Sequence, residues 1–97
     1  MKSVFIIYNQ ALSEIVMKMI DYLGVKGFTM WEDVKGRGSQ SGEPHLGTHT
    51  WPAMNSAVLA VVENHQVQPL LDAVAKLNEK AELQGIRAFV WAVEQTV

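Results

Sequence analysis

The chain has 97 residues, a length that fits one domain of ordinary size. Its residues are 48% hydrophobic and 19% charged, which excludes the disordered class. With a formal net charge of -2 and no cysteine, the composition argues against nucleic-acid binding and excludes disulfides, thiolate metal sites and thiol nucleophiles.

A strand, a helix and a second strand are predicted in the first third of the chain. Residues 4–8 form a β-branched and aromatic run without a helical period, which predicts a buried strand. Apolar residues spaced by three and four from Leu12 to Leu23 predict a helix, and we expect Gly24 to end it in the left-handed conformation. Residues 27–34 predict the second strand. Alternation in it places Phe28, Met30 and Val34 on one face and Thr29, Trp31 and Asp33 on the other.

The middle of the chain is a long aperiodic segment. Residues 35–52 contain four glycines and two prolines, and loops of this length are usually functional or disordered. Residues 57–62 then predict a third strand that is apolar on both faces. A second helix is expected to start near Gln66, with Pro69 in its first turn, where the missing N–H has no helical partner. Residues 86–93 predict a fourth strand.

The predicted order β-α-β-β-α-β is typical of the ferredoxin-like α+β fold, formed here by one domain over residues 1–97. Two right-handed crossovers place both helices on the same face of an antiparallel sheet. The strands nevertheless carry apolar residues on both faces. The uncovered face would exceed the few hundred Å² of apolar patch normal for a monomer, so we expect other copies to cover it.

Two segments closely resemble the nitrogen regulatory PII family. Residues 24–29 (Gly-Val-Lys-Gly-Phe-Thr) resemble its glycine-x-x-glycine-x-threonine strand, and residues 32–42 resemble the glycine-rich start of its regulatory loop, the T-loop. The resemblance implies a homotrimer with effector sites in the clefts between subunits, where ATP, ADP or AMP is the usual ligand. It also implies signal transduction rather than catalysis, with the loop 35–54 docking on a partner protein such as a transporter or an enzyme.

The same resemblance implies a set of ligand-binding residues. Thr29 would lie near the nucleotide base, while a second group would lie near the phosphates and the effector. Because glycine has no side chain, successive backbone N–H groups around it can form concavities that bind anions. The second group consists of Gly36, Gly38 and Gln40, together with Gly85 and Arg87 as partial counterparts of the family's phosphate loop.

A transition-metal site is the alternative function that the sequence leaves open. Glu43, His45 and His49 lie within seven residues of the loop, and imidazole suits zinc, copper or nickel. A trimer could complete such a site by repetition, as in a CutA-like metal-binding protein or one linked to heavy-metal efflux. An enzyme is not expected, because no nucleophile–base spacing and no paired carboxylates stand out.

The sequence also bears on location. No apolar stretch reaches the roughly 18 residues of a membrane span, and the first apolar run is too short for a signal peptide. We therefore expect a cytoplasmic protein that does not insert directly into a membrane.

Overall fold

The computed structural model describes residues 1–37, 42–50, 52–80 and 85–97. Its order of elements confirms the predicted ferredoxin-like α+β fold. A short 3-10 helix, Gln10–Leu12, separates the first strand from the first helix. The remaining elements are β1 (Lys2–Asn9), α1 (Ser13–Tyr22), β2 (Thr29–Val34), β3 (Asn55–Val62), α2 (Asn64–Lys80) and β4 (Ile86–Ala92).

The four strands form one sheet in the order β2-β3-β1-β4, in which every neighbouring pair is antiparallel. One face of this sheet packs against both helices, because alternate residues of the strands are apolar and the helices are amphipathic. This packing forms the core. Its buried residues are Val4, Ile6, Tyr8, Leu12, Val16, Ile20, Val25, Val58, Ala60, Val62, Leu70, Val74 and Ile86.

The opposite face, which we call the open face, carries a second apolar layer. In the sheet register Phe5 lies between Leu59 and Phe89, so these three side chains form one row across three strands. Many of the large residues here remain about half exposed, including Phe89 at 49%. No element among the described residues covers this layer, as the one-sided arrangement of helices predicts. The open face comprises Phe5, Ile7, Trp31, Leu59, Val61, Phe89 and Trp91.

The two helices differ in how well the sequence located their ends. Gly24 follows α1 with a φ of 79°, which confirms the predicted left-handed ending. The predicted start of α2 was wrong, since the helix begins at Asn64 and Pro69 lies in its interior. The Gln66 side chain accepts a hydrogen bond (2.9 Å) from the Glu63 N–H, which caps the helix earlier than the apolar spacing indicated.

The second strand departs from regular alternation. Its register against β3 shifts between Trp31 and Val34, and Asp33 has a φ of 57°. This irregularity is a bulge, which interrupts the period of two. Phe28 lies before the strand and shares a groove with Thr29, so its predicted place on the Met30 face was wrong.

Two hydroxyl groups, those of Tyr8 and Ser56, are buried in the core on neighbouring strands. Tyr8 pairs with Ser56 across β1 and β3, and neither hydroxyl has a hydrogen-bond partner among the described residues. Burial raises the pKa of Tyr8 above its ordinary value of 10.0. The nearby Ser13 hydroxyl opposes this shift, although the two groups do not meet hydrogen-bond geometry.

The raised pKa of Tyr8 predicts a stability change at alkaline pH. The folded chain holds the Tyr8 proton more tightly than the unfolded chain, so the free energy of unfolding should fall as the pH rises above the ordinary value of 10.0. Tyr8→Phe should make this fall shallower. Tyr22→Phe is the matched control, because Tyr22 is 89% exposed. Chemical denaturation at pH values on either side of 10.0 tests this, and equal slopes for wild type and Tyr8→Phe would contradict it.

Candidate functional site

An open groove of about 280 Å³ lies on the open face at the start of β2. Gly27, Phe28 and Thr29 line one side of it, and Leu59 and Val61 line the other. The register explains this meeting, because Thr29 is paired with Leu59. Its lining side chains are apolar apart from the threonine hydroxyl, so a ligand in the groove would meet an apolar surface and one polar side chain.

The loop that follows β2 begins with a tight backbone contact. Gly36 and His45 form a two-way bridge, in which the Gly36 N–H donates over 2.9 Å and the His45 N–H donates over 2.6 Å. Asn55, the first residue of β3, lies directly beside this bridge. A Cβ atom at Gly36 would lie 3.3 Å from Asn55 Nδ2, so the lack of a side chain there lets Asn55 approach.

Of the three predicted metal ligands, His45 is buried within the base of the loop. Only 8% of it is exposed, and its Nδ1 lies 2.5 Å from the Oδ1 of Asn55, itself 6% exposed. Glu43 and His49 are exposed. Within the described parts of the chain, no three His, Asp or Glu side chains come together to hold a metal ion. A metal site completed by several chains therefore stays a prediction.

The remaining described ligand residues lie at the other edge of the sheet. Gly85 precedes β4 with a φ of 81°, and its carbonyl accepts a hydrogen bond from the Asn9 N–H at 3.1 Å. Arg87 lies opposite Ile7 on the open face, with its guanidinium 5.9 Å from the centre of the Phe89 ring. This is the range of a cation–π contact. Gly38 and Gln40, which were also predicted, lie outside the described residues.

A single chain does not bring these predicted residues together. Thr29 is in β2 and Arg87 in β4, which are the two edge strands of the sheet. Three strand spacings separate these edges, a distance of about 14 Å. Gly36 lies beyond the far end of β2 from Thr29. A single chain therefore holds these residues in separate places and not around one pocket.

The structure places several residues in the groove or in contact with the loop that the sequence did not single out. Leu59 and Val61 belong to an apolar strand and carry no signal that separates a groove wall from a core residue. Asn55 is a polar residue at the start of that strand, and Gln10 begins the 3-10 helix that follows β1. Their contacts depend on the path of the loop, which the sequence pattern does not specify.

The family described as Nitrogen regulatory protein P-II matches this chain over residues 1–97. The chain therefore belongs to that family, whose members are regulatory proteins. Its fold resembles CPII, a nitrogen regulatory PII-like protein from Thiomonas intermedia K12, in a structure bound to ADP, AMP and bicarbonate. The two are 26% identical with a TM-score of 0.74, and the match covers 93% of this chain and 82% of that one.

Two further comparisons agree. CPII bound to ADP and bicarbonate is 27% identical, with a TM-score of 0.74 over 93% of this chain and 82% of that one. A PII-like signaling protein from Thermus thermophilus is 21% identical, with a TM-score of 0.66 over 93% of this chain and 83% of that one, and it shows the shared fold alone. No curated protein matches the sequence.

One finding bears on membrane association. Across the described ranges, no helix combines the length and apolar character needed to cross a membrane.

We predict that glycine at position 47, where the loop 35–54 returns toward β3, is needed for the stability of the chain. Gly47 has a φ of 65°, and a Cβ atom there would overlap with Met54 Sδ. Gly47→Ala should therefore destabilise the chain by about 1–3 kcal/mol. Gly27→Ala is the matched stability control, since a Cβ there has nothing within 4 Å. Urea denaturation of both variants tests the prediction, and equal midpoints would contradict it.

Proposed function

We propose that this chain is a PII-like regulator, not an enzyme, which senses an adenine nucleotide in clefts between the subunits of a homotrimer. In this proposal the loop 35–54 passes the signal to a partner protein, either a transporter or an enzyme. One observation carries the proposal: a mainly apolar groove opens on the uncovered face beside Thr29. Family membership supports the regulatory role.

The trimer accounts for the open face. Its half-exposed large side chains, such as Phe89 and Trp91, form an apolar layer that a monomer would leave in contact with water. Contacts that pair different surfaces of identical chains close into a ring when the rotation between copies fits. Three sheets packed by their open faces would remove these side chains from water, and the hydrophobic effect would stabilise the assembly.

The cleft accounts for the separation of the predicted ligand residues. When the β2 edge of one copy lies near the β4 edge of the next, the Thr29 groove can take the base. Arg87 and Gly85 of the adjacent copy would then reach the phosphates, joined by Gly36, Gly38 and Gln40 at the start of the loop. A guanidinium group is well suited to this role, because it binds phosphate through paired hydrogen bonds.

The bound ligands of CPII guide the choice of effector. That protein is bound to ADP, AMP and bicarbonate in one structure and to ADP and bicarbonate in another. We propose ADP and AMP as the first nucleotides for this chain, with bicarbonate as a second anion. A ligand shifts the loop only to the extent that it binds one loop conformation more tightly than the other.

Native mass spectrometry of the purified protein should give a trimer. Phe89→Glu should reduce the trimer to smaller species, because it places a carboxylate in the apolar layer between subunits. Tyr22→Glu makes the same kind of change at a residue of α1 that is 89% exposed, and it should leave the trimer intact. A monomeric wild-type protein, or equal dissociation in both variants, would contradict the proposed assembly.

Isothermal titration of the wild-type protein with ADP should show binding, with one site per chain. Arg87→Ala should weaken ADP binding about tenfold or more, which corresponds to the loss of a charged hydrogen bond of about 1.5–3 kcal/mol. Lys76→Ala removes the same charge from the exposed side of α2 and should leave the affinity unchanged. Equal affinities for the two variants would exclude Arg87 from the site, and an absence of binding to the wild type would refute nucleotide sensing.

A further inference from the structure

Gln10 contacts the last residue of the loop 35–54 and a residue of β2 just before the loop begins. Its backbone N–H donates to the Met54 carbonyl over 2.9 Å, just before β3 begins. Its side-chain Nε2 donates to Asp33 Oδ1 over 2.6 Å, just before β2 ends. One residue of the 3-10 helix therefore ties the outgoing end of the loop to the returning end.

Asn55 forms a second tie at the same place. Its Oδ1 lies 2.5 Å from His45 Nδ1, and both side chains are buried. Its Nδ2 lies against Gly36, which the backbone bridge joins to His45. Because Asn55 is fixed in the sheet by its pairing with Asn9 and Val34, it holds the bridge against the end of the sheet.

The segment after the bridge, residues 45–50 and 52–54, is called here the return arm. The Gly47 N–H donates to the Ala53 carbonyl over 3.0 Å, which joins the two parts of the arm. Met54 occupies the space that a side chain at position 47 would need. The arm is therefore connected internally as well as at its ends.

We propose that Gln10 and Asn55 are positioning residues that clamp the return arm to the sheet, so that the arm keeps its conformation with and without ligand. The proposal rests on the regulatory function proposed above for the loop 35–54. It concerns the return arm and the backbone bridge between Gly36 and His45. Neither residue contacts the groove beside Thr29.

Amide hydrogen exchange of the full-length protein, measured by NMR without nucleotide, tests the clamp directly. In the wild type the amides of Gly36, His45 and Gly47 should exchange at least tenfold more slowly than unfolded peptide, since each donates a backbone hydrogen bond. Asn55→Ala should accelerate exchange at Gly36 and His45 about tenfold. Asn55→Asp keeps an oxygen for the His45 ring and should preserve most of the protection.

Gln10→Ala provides an independent variant in case Asn55→Ala does not fold. It removes the exposed bond to Asp33 and should accelerate exchange at Gly36 and His45 several-fold. Gln68→Ala is the matched control, because it removes a similar exposed bond, from Gln68 to Asp72 at 2.8 Å on α2. In Gln68→Ala the amides of Gly36 and His45 should exchange as in the wild type.

Three results would overturn the clamp. These are unprotected amides at Gly36, His45 and Gly47 in the wild type, unchanged protection in Gln10→Ala, or a tenfold change at His45 and Gly47 when ADP saturates the protein. Protection that stays within twofold on ADP binding would support it. If ADP does not bind, the nucleotide proposal fails, while the exchange measured without ADP still decides whether the clamp exists.

Discussion

A sheet with helices on only one side leaves its other face uncovered, and the rest of this structure depends on that constraint. Both helices pack against Val4, Ile6 and Val58 on the core face. The open face is also apolar, because alternate residues of the same strands, such as Phe5 and Leu59, point the other way. One chain therefore buries the apolar residues of the core face and leaves many of those on the open face exposed to water.

The same constraint determines where a ligand can bind. The groove lies on the open face at the β2 edge, while Gly85 and Arg87 lie at the β4 edge. The residues proposed to hold the base and those proposed to hold the phosphates therefore lie at opposite edges of the sheet. In the proposed trimer these residues would meet between two copies of the chain, so ligand binding would be linked to assembly. Affinity for the ligand and stability of the assembly would then depend on each other.

Much of the fold was predictable because its signals are local. The spacing from Leu12 to Leu23 and the position of Gly24 correctly located α1, as the φ of 79° at Gly24 confirms. Pro69 and Phe28 were placed wrongly for equally local reasons. The Gln66 side chain caps α2, so the helix begins before the residue that the apolar spacing indicated. Phe28 lies before the first residue of β2, so the alternation of that strand does not apply to it.

The candidate site was less predictable because its contacts join distant segments. Thr29 was located through a motif, but the groove walls at Leu59 and Val61 look like ordinary strand residues in the sequence. Gln10 meets Asp33 across 23 positions, and that meeting follows from the path of β1 and β2 through the sheet. Sequence periodicity reports which face a residue occupies, and it carries no information about which distant residue it meets.

The bulge in β2 has a consequence for a single chain. An exposed edge strand can pair with a strand of another chain, and repeated pairing of this kind produces fibrils. In β2 the register shift between Trp31 and Val34 breaks the row of hydrogen-bonding groups, and Asp33 turns the backbone to a positive φ. The neighbouring carboxylate of Glu32 adds like-charge repulsion between stacked copies. A single chain therefore exposes its apolar face yet has at least one edge that resists amyloid-like growth.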